Sequence, residues 1–332
     1  MSDGGGTGDR PVALVTASCR GPGLDRLREL CEVSYEPWLD ATSMHLLDPA
    51  ALGARIDELG ATVIVAEADS VKGEVLERPL RAIGSTRGDP TNVDVPGATA
   101  RGIPVLRTPG RNADAVAELT VALLFSVTRG IVPADADLRH DRVFVDGTIP
   151  YQRFRAWQLA GQTIGIIGLG AVGRAARWRF EGLGMRVISF DPYAADATHA
   201  SLDEMLPEAD VVSMHAAPTP ETFGLMSGAR FRSMKPGAVY LNSARAALHD
   251  LDGLTDALRT GYLSGAGLDH FDGERLPPDH PLLGMRQVVL TPHIGGATYD
   301  TEVNHTAMIA DDLTLLFAGE RPVHCVNPEV LS

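Results

Sequence analysis

The chain has 332 residues, 44% apolar and only 5% aromatic, enough to bury a sizeable core in two domains of ordinary α/β type. A formal net charge of −14 excludes nucleic acid and anionic membrane as natural partners, since neither attracts an acidic surface, and leaves small ligands. Cys19, Cys31 and Cys325 lack metal-ligand spacing and are expected as free thiols in a reducing cytoplasm, none catalytic and with no metal site.

Taken in order, residues 1–9 are Gly-rich and polar and read as a tail without a targeting signal, and no run approaches the ~18 apolar residues of a membrane span. Val12 to Thr16 reads as a first strand and the Leu24, Leu27, Leu30 stripe as a helix; Thr62 to Val65 is a second strand, and Leu80 to Gly84 and Pro104 to Leu106 two more. This predicts a parallel βα domain. A helix begins near Asn112, with Asn112 or Asp114 as its cap, and its small apolar residues predict close packing as it passes between domains. From Arg139 to Trp157 the periodicity breaks into a segment rich in Phe, Tyr and Trp. Such a segment is expected either to pack on a partner subunit or to fold over its own chain.

Thr163 to Gly173, TIGIIGLGAVG, carries the most information. An apolar run leads straight into Gly168, Gly170 and Gly173, and an Ala/Arg-rich helix pattern follows, so G-x-G-x-x-G stands between a strand and a helix. In that setting Gly168 makes the sharp turn, Gly170 lets a pyrophosphate approach the backbone, and Gly173 lets helix and strand pack closely. A second strand, Arg186 to Phe190, ends at Asp191, 18 residues beyond Gly173, where an acidic side chain takes the ribose hydroxyls of NAD and repels the phosphate of NADP. Strands at Asp210 to Met214, Ala238 to Asn242, Ser264 to Leu268 and Gln287 to Leu290 complete a six-stranded, doubly wound Rossmann sheet. The final helix, about Thr301 to Phe317, returns the chain to the first domain.

Three strand ends supply the chemistry. Tyr240 to Arg245 delivers a guanidinium suited to hold a carboxylate, Gly267 to Glu274 delivers Asp269, Asp272 and Glu274, and Leu290 to His293 delivers an imidazole. Together these are the groups that hydride transfer to a 2-oxo acid requires: His293 gives a proton to the carbonyl oxygen or takes it back, and Glu274 alongside favours the protonated imidazole.

Here the chain resembles the D-isomer-specific 2-hydroxyacid dehydrogenases, phosphoglycerate dehydrogenase-like but without a regulatory C-terminal domain. The resemblance runs through Asn92-Val-Asp94, Ala100 to Val105, Asn112 to Glu118, the glycine loop, His215 to Thr222, Met234 to Gly237, Asn242 to Arg245, Leu268-Asp269, Glu274 and Pro292 to Gly295. It implies a catalytic trio of Arg245, Glu274 and His293, and a cofactor site lined by Ala171, Val172, Asp191, Ala216, Pro218, Thr222, Ser243, Asp269 and Gly295. It further implies an NAD-binding domain (113–300) inserted into a discontinuous, flavodoxin-like substrate domain (1–112 and 301–332), and a homodimer through the cofactor domain with an arm at about 131–158. Arg87, Gly88, Asn112 and Arg245 would meet a small anionic substrate, a 2-oxo or D-2-hydroxy acid.

The loop Ser85 to Asp94 departs from the family pattern, and Arg87, Arg107 and Arg111 cluster there as candidates for a second anionic group, against a structural reading in which they pair with Asp89 and Asp114. Ala246 replaces the usual Gly, His270 the usual Val and Arg275 the usual Pro, changes read as lying around the site. His45, His140, His199 and His249 read as surface residues, His280 as shaping its loop, and His305 as packed or solvated. Dehydrogenation of another small anion such as phosphite, and NAD sensing by a non-catalytic corepressor-like protein, remain the alternatives.

Overall fold

Short runs of fully buried β-branched residues organise the chain into two parallel sheets. The computed structural model describes residues 10–40 and 46–331, and divides into unit 1, Met1–Arg111 with Thr298–Ser332, and unit 2, Asn112–Ala297. His45 and residues 1–9 lie outside the described residues.

Unit 1 holds β1 (Val12–Val15), α1 (Pro22–Leu30), β2 (Glu32–Tyr35), α2 (Pro49–Leu59), β3 (Val63–Ala66), β4 (Ala82–Ser85), α3 (Val95–Thr99) and β5 (Val105–Leu106). Its sheet order is β2-β1-β3-β4-β5, every pair parallel, which is the flavodoxin-like order. Alternate residues face opposite sides: Leu14, Ile64 and Ile83 meet Leu52 and Ile56 of α2, while Val15, Val63 and Val65 meet Leu27 of α1 and Ile309 and Leu313 of the last helix. The sheet has one strand more than the pattern predicts. Glu32–Tyr35 is an edge strand of mixed, half-exposed residues, and so lacks the apolar run that marks its neighbours.

Unit 2 begins with α4 (Ala113–Thr128), then the arm with α5 (Ile131–Arg139) and α6 (Pro150–Arg153), then β6 (Thr163–Ile167), α7 (Ala171–Gly182), β7 (Arg186–Phe190), α8 (Leu202–Met205), β8 (Val211–Met214), α9 (Gly228–Ser233), β9 (Val239–Asn242), α10 (Leu251–Arg259), β10 (Gly265–Leu268) and β11 (Val288–Leu290); α11 (Tyr299–Phe317) belongs to unit 1. The six strands are parallel in the order β11-β10-β9-β8-β6-β7. The chain runs from β6 to β7 on one side and then crosses from β7 to β8 on the other side of β6, so the carboxyl ends of β6 and β8 flank a switch point, where open α/β sheets bind ligands. α4 lies on the β9–β11 side of this sheet. Close approach is possible because β10 carries glycine: a Cβ on Gly267 would sit 3.0 Å from Leu123 Cβ, and one on Gly265 2.5 Å from Val127. Asn112 holds the N-cap position of α4 but makes no side-chain cap bond; its amide instead lies against Gly296. Among the described residues no single helix is long and apolar enough to cross a membrane.

Several histidines are buried rather than solvated. His249 is 7% exposed, contrary to its expected surface place, because the polar sequence around it folds back under β9, where Asn242 Nδ2 donates to His249 Nδ1 at 2.7 Å. His305 is wholly buried: its ring meets Arg111 Nη1 at 2.6 Å through Nδ1 and donates to the Ser18 carbonyl through Nε2 at 2.7 Å. Burial pushes His215 and His249 down to about 4, and burial with the Arg111 charge does the same to His305. A folded value below the unfolded one, 6.5, means the unfolded chain binds more protons between about pH 6.5 and 4. Stability therefore falls as pH drops through that window, by up to a few kcal/mol per group. Urea midpoints should decline from pH 7 to 4.5, and less steeply in His249→Asn, whose amide does not titrate.

Candidate active site

The cofactor end is built on the β6–α7 turn. Gly168 has φ 92°, and a Cβ there would lie 2.7 Å from Ala216 N, so this turn can close onto the end of β8 only without a side chain. A Cβ on Gly173 would lie 2.0 Å from the Gly168 carbonyl oxygen. Gly170, by contrast, has nothing within 4 Å of that point, and it caps α7 with no side-chain acceptor, leaving the first-turn amides and the open space before them for a phosphate. Ala171 and Val172 supply such amides. Asp191, just past β7, accepts from Leu169 N at 2.7 Å through Oδ2 and from Tyr193 N at 2.8 Å through Oδ1, which fixes the carboxylate beside the turn while lone pairs remain for hydroxyl donors. The buried His215 Nδ1 on the β8 side has no partner among the described residues, although Nε2 meets Ser213 Oγ at 2.8 Å. The cradle and Asp191 fit a dinucleotide. Thr222 ties its own loop by donating to the Ala217 carbonyl at 2.6 Å, in the segment that includes Pro218. Ser243 is buried against Thr120, Oγ to Oγ1 at 2.7 Å.

The other end is formed by the adjacent carboxyl ends of β9, β10 and β11. After β9, Asn242 accepts from Ala244 N at 2.9 Å and donates to the Arg245 carbonyl at 2.9 Å, shaping the turn that exposes Arg245. After β10 and β11, Glu274 Oε1 meets His293 Nδ1 at 2.8 Å. Both residues are left-handed, φ 61° and 56°, a conformation that costs a side-chain-bearing residue ~1–3 kcal/mol and persists only where surroundings enforce it. For His293 the enforcement comes from Asp269. Wholly buried, it accepts from Thr291 Oγ1 at 2.6 Å, Ile294 N at 2.9 Å and Gly295 N at 2.8 Å, while its main-chain oxygen takes His293 N at 2.9 Å. His270, 6% exposed, packs its ring 3.7 Å from that of His293 and turns Nε2 toward Arg245 Nη1 at 3.5 Å. Burial, with His293 and Arg245 nearby, pushes His270 down to about 3. Donor atoms of His270, Glu274 and His293 lie within 4.8 Å of one another, a set that could hold a metal ion, but Arg245 already places a cation against it.

Residues 121–295 match the family model described as D-isomer specific 2-hydroxyacid dehydrogenase, NAD binding domain. A glyoxylate reductase of Thermofilum pendens is 33% identical over 97% of this chain and 96% of its own. The chain belongs to the D-isomer specific 2-hydroxyacid dehydrogenase family. The D-3-phosphoglycerate dehydrogenase of Mycobacterium leprae is 34% identical over 96% of this chain, which spans 59% of that longer protein. The crystal structure of the TT0316 protein of Thermus thermophilus aligns with a TM-score of 0.80 at 37% identity, over 95% of this chain and 99% of that one.

Within this dehydrogenase the strand-end residues named from sequence do not share one role geometrically. Glu274 and His293 are hydrogen-bonded and Arg245 is joined to them through His270, whereas the Asp269 carboxylate is consumed by the loop that carries His293. His270 thus stands inside the cluster rather than around it, and only its departure from the usual Val marks it in the sequence. In unit 1, Arg111 is paired with Glu67 and held by His305, Arg87 Nε donates to the Glu67 carbonyl at 2.7 Å, and Arg107 reaches the Gly88 carbonyl at 3.4 Å. Asp114 pairs with Arg179 of α7 instead. His280 shapes its loop, accepting from Leu282 N at 3.3 Å. Asp269→Ala strands three donors and should cost about 3 kcal/mol or more in chemical denaturation, because each buried donor loses its acceptor. Stability unchanged to within ~0.5 kcal/mol would show that the loop holds itself.

Proposed function

We propose that this dehydrogenase moves a hydride between NAD and the C2 of a small 2-oxo or D-2-hydroxy acid. The observation that carries the reading is the 2.8 Å His293–Glu274 hydrogen bond beside an exposed arginine on neighbouring strand ends. NAD supplies or accepts the hydride when bound. Glu274 takes the Nδ1 proton of His293 in a hydrogen bond, which leaves Nε2 to give a proton to the substrate oxygen or remove it. Arg245 holds the substrate carboxylate, and a guanidinium is suited to that because its parallel N–H groups match two carboxylate oxygens. Asp191 selects NAD over NADP, since a 2′-phosphate would meet a carboxylate already fixed by two amides. Arg87, Gly88 and Asn112 are proposed on the substrate side. Arg111 is committed to Glu67 and His305, and recognition of a second anionic group is proposed for the loop that carries Arg87 and Arg107, where Arg87 is itself held by the Glu67 carbonyl and Thr91.

The enzyme is also proposed to act as a homodimer in the cytoplasm. Support for pairing comes from the arm, where Phe144, Tyr151 and Trp157 are 77%, 83% and 86% exposed while Asp137, buried at its base, binds Arg142 and Arg286. Such a cluster of bare aromatic rings on a braced segment suits an interface. The three thiols are free, with Cys19 and Cys31 buried, in keeping with a reducing compartment.

A panel of 2-oxo acids with NADH and NADPH tests the reaction. Turnover should prefer NADH, His293→Gln should lower kcat about 10²–10⁴-fold, and Arg245→Lys should raise KM. Confirmed NADH binding with no turnover on any acid would replace the enzyme reading with an NAD-sensing one. If a short monoanionic acid is the best substrate and Arg87→Ala leaves it unchanged, the second-anion reading fails. Sedimentation velocity should give twice the chain mass, and Trp157→Asp with Phe144→Asp should halve it.

A further inference from the structure

Four side chains crowd the ends of β9, β10 and β11, and His270 is the one that solvent barely reaches. The two groups beside it need restraint. His293 makes its side-chain hydrogen bond to Glu274 from Nδ1, and a ring held at one nitrogen can still rock about that bond. Arg245 is exposed, with Nη1 anchored to the neighbouring Ala244 carbonyl at 2.7 Å and facing His270 Nε2 at 3.5 Å. A proton donor and a carboxylate clamp must keep a fixed separation for productive geometry, since small misplacements of reacting groups cost large factors in rate.

We propose that His270 is a positioning residue that couples Arg245 to His293, its ring bracing the His293 imidazole at 3.7 Å while its Nε2 lone pair accepts from the guanidinium. The inference rests on the roles given above to Arg245 and His293. Arginine offers only N–H groups, so acceptance at Nε2 requires the tautomer with its proton on Nδ1. The neutral tautomer with its proton on Nε2 would turn that contact into a repulsion, and protonation at both nitrogens would add another cation between Arg245 and His293. Burial, with His293 and Arg245 beside it, lowers the pKa of the His270 imidazole and favours the neutral ring that this contact needs. Neither half can be supplied by an aliphatic side chain: Val would offer part of a wall and no acceptor.

Two substitutions separate the halves. His270→Phe keeps a ring and removes the acceptor; KM for the 2-oxo acid should rise about three- to tenfold with kcat within about twofold. His270→Asn keeps an acceptor and removes the ring; kcat should fall about three- to tenfold with KM nearly unchanged. Both should bind NADH within about twofold of the parent, and EDTA in every assay prevents metal capture by the cluster from imitating either effect. Equal losses in the two variants, or none in either, would overturn the proposal. The ¹⁵N spectrum of the unsubstituted, histidine-labelled chain needs neither turnover nor a variant that folds: an unprotonated Nε2 on His270 at neutral pH is expected, and a protonated one overturns the coupling. A parent enzyme that binds NADH yet reduces no 2-oxo acid would remove the functional reading alone, leaving the spectrum to decide the contact with Arg245.

Discussion

The buried carboxylate of Asp269 is the constraint on which the catalytic end depends. Two backbone amides and a hydroxyl converge on it from the segment after β11, and that convergence holds His293 in a left-handed conformation its side chain disfavours. The consequence passes outward in steps. His293 directs Nδ1 at Glu274, itself left-handed, and the ring rests against His270, which faces Arg245. One acceptor at the end of β10 thus fixes the segment after β11, and through His293 it adjoins groups delivered by the other two strands.

The glycine turn works on the opposite principle. There the structure gains its function from atoms left out: Gly168 and Gly173 let backbone meet backbone, and Gly170 leaves space before free amides. Asp191 joins the two schemes, since it spends part of its carboxylate on the Leu169 and Tyr193 amides and retains lone pairs for further donors. On the proposed reading, a fixed cradle and a fixed imidazole in one sheet would let a small substrate react without a large rearrangement of either, as preorganised sites do.

Buried neutral imidazoles recur in both units. His249 accepts from Asn242, which shapes the Arg245 turn, and His305 meets Nη1 of Arg111 while Glu67 takes Nη2. In each case an uncharged ring serves as a hydrogen-bond partner in a place where another cation would be costly. Histidines that look unremarkable in a polar stretch of sequence therefore act as internal fixings.

Much was legible from the chain alone. The six strands of unit 2 are short, mostly apolar runs, four of them ended by Gly168, Asp191, Asn242 or Asp269, and their order along the chain with the glycine spacing determined a Rossmann unit and its dinucleotide. Arg245, Glu274 and His293 were legible as strand-end residues, since the carboxyl edge of such a sheet is where polar groups gather. Other features were not. The half-exposed edge strand Glu32–Tyr35 carries no apolar run, and α2 is absent from the elements that the apolar pattern predicts although Asp48 caps it and Pro49 opens it. The commitment of Asp269 to the His293 loop, the contact of His270 with both His293 and Arg245, and the pairing of Arg111 with Glu67 and His305 all join residues far apart along the chain, by as much as 194 positions between Arg111 and His305. Local pattern determines which groups a strand delivers and to which edge; only the folded chain decides which of them meet, because hydrogen bonds over such separations depend on the register of neighbouring strands and on burial, neither of which is written in local spacing.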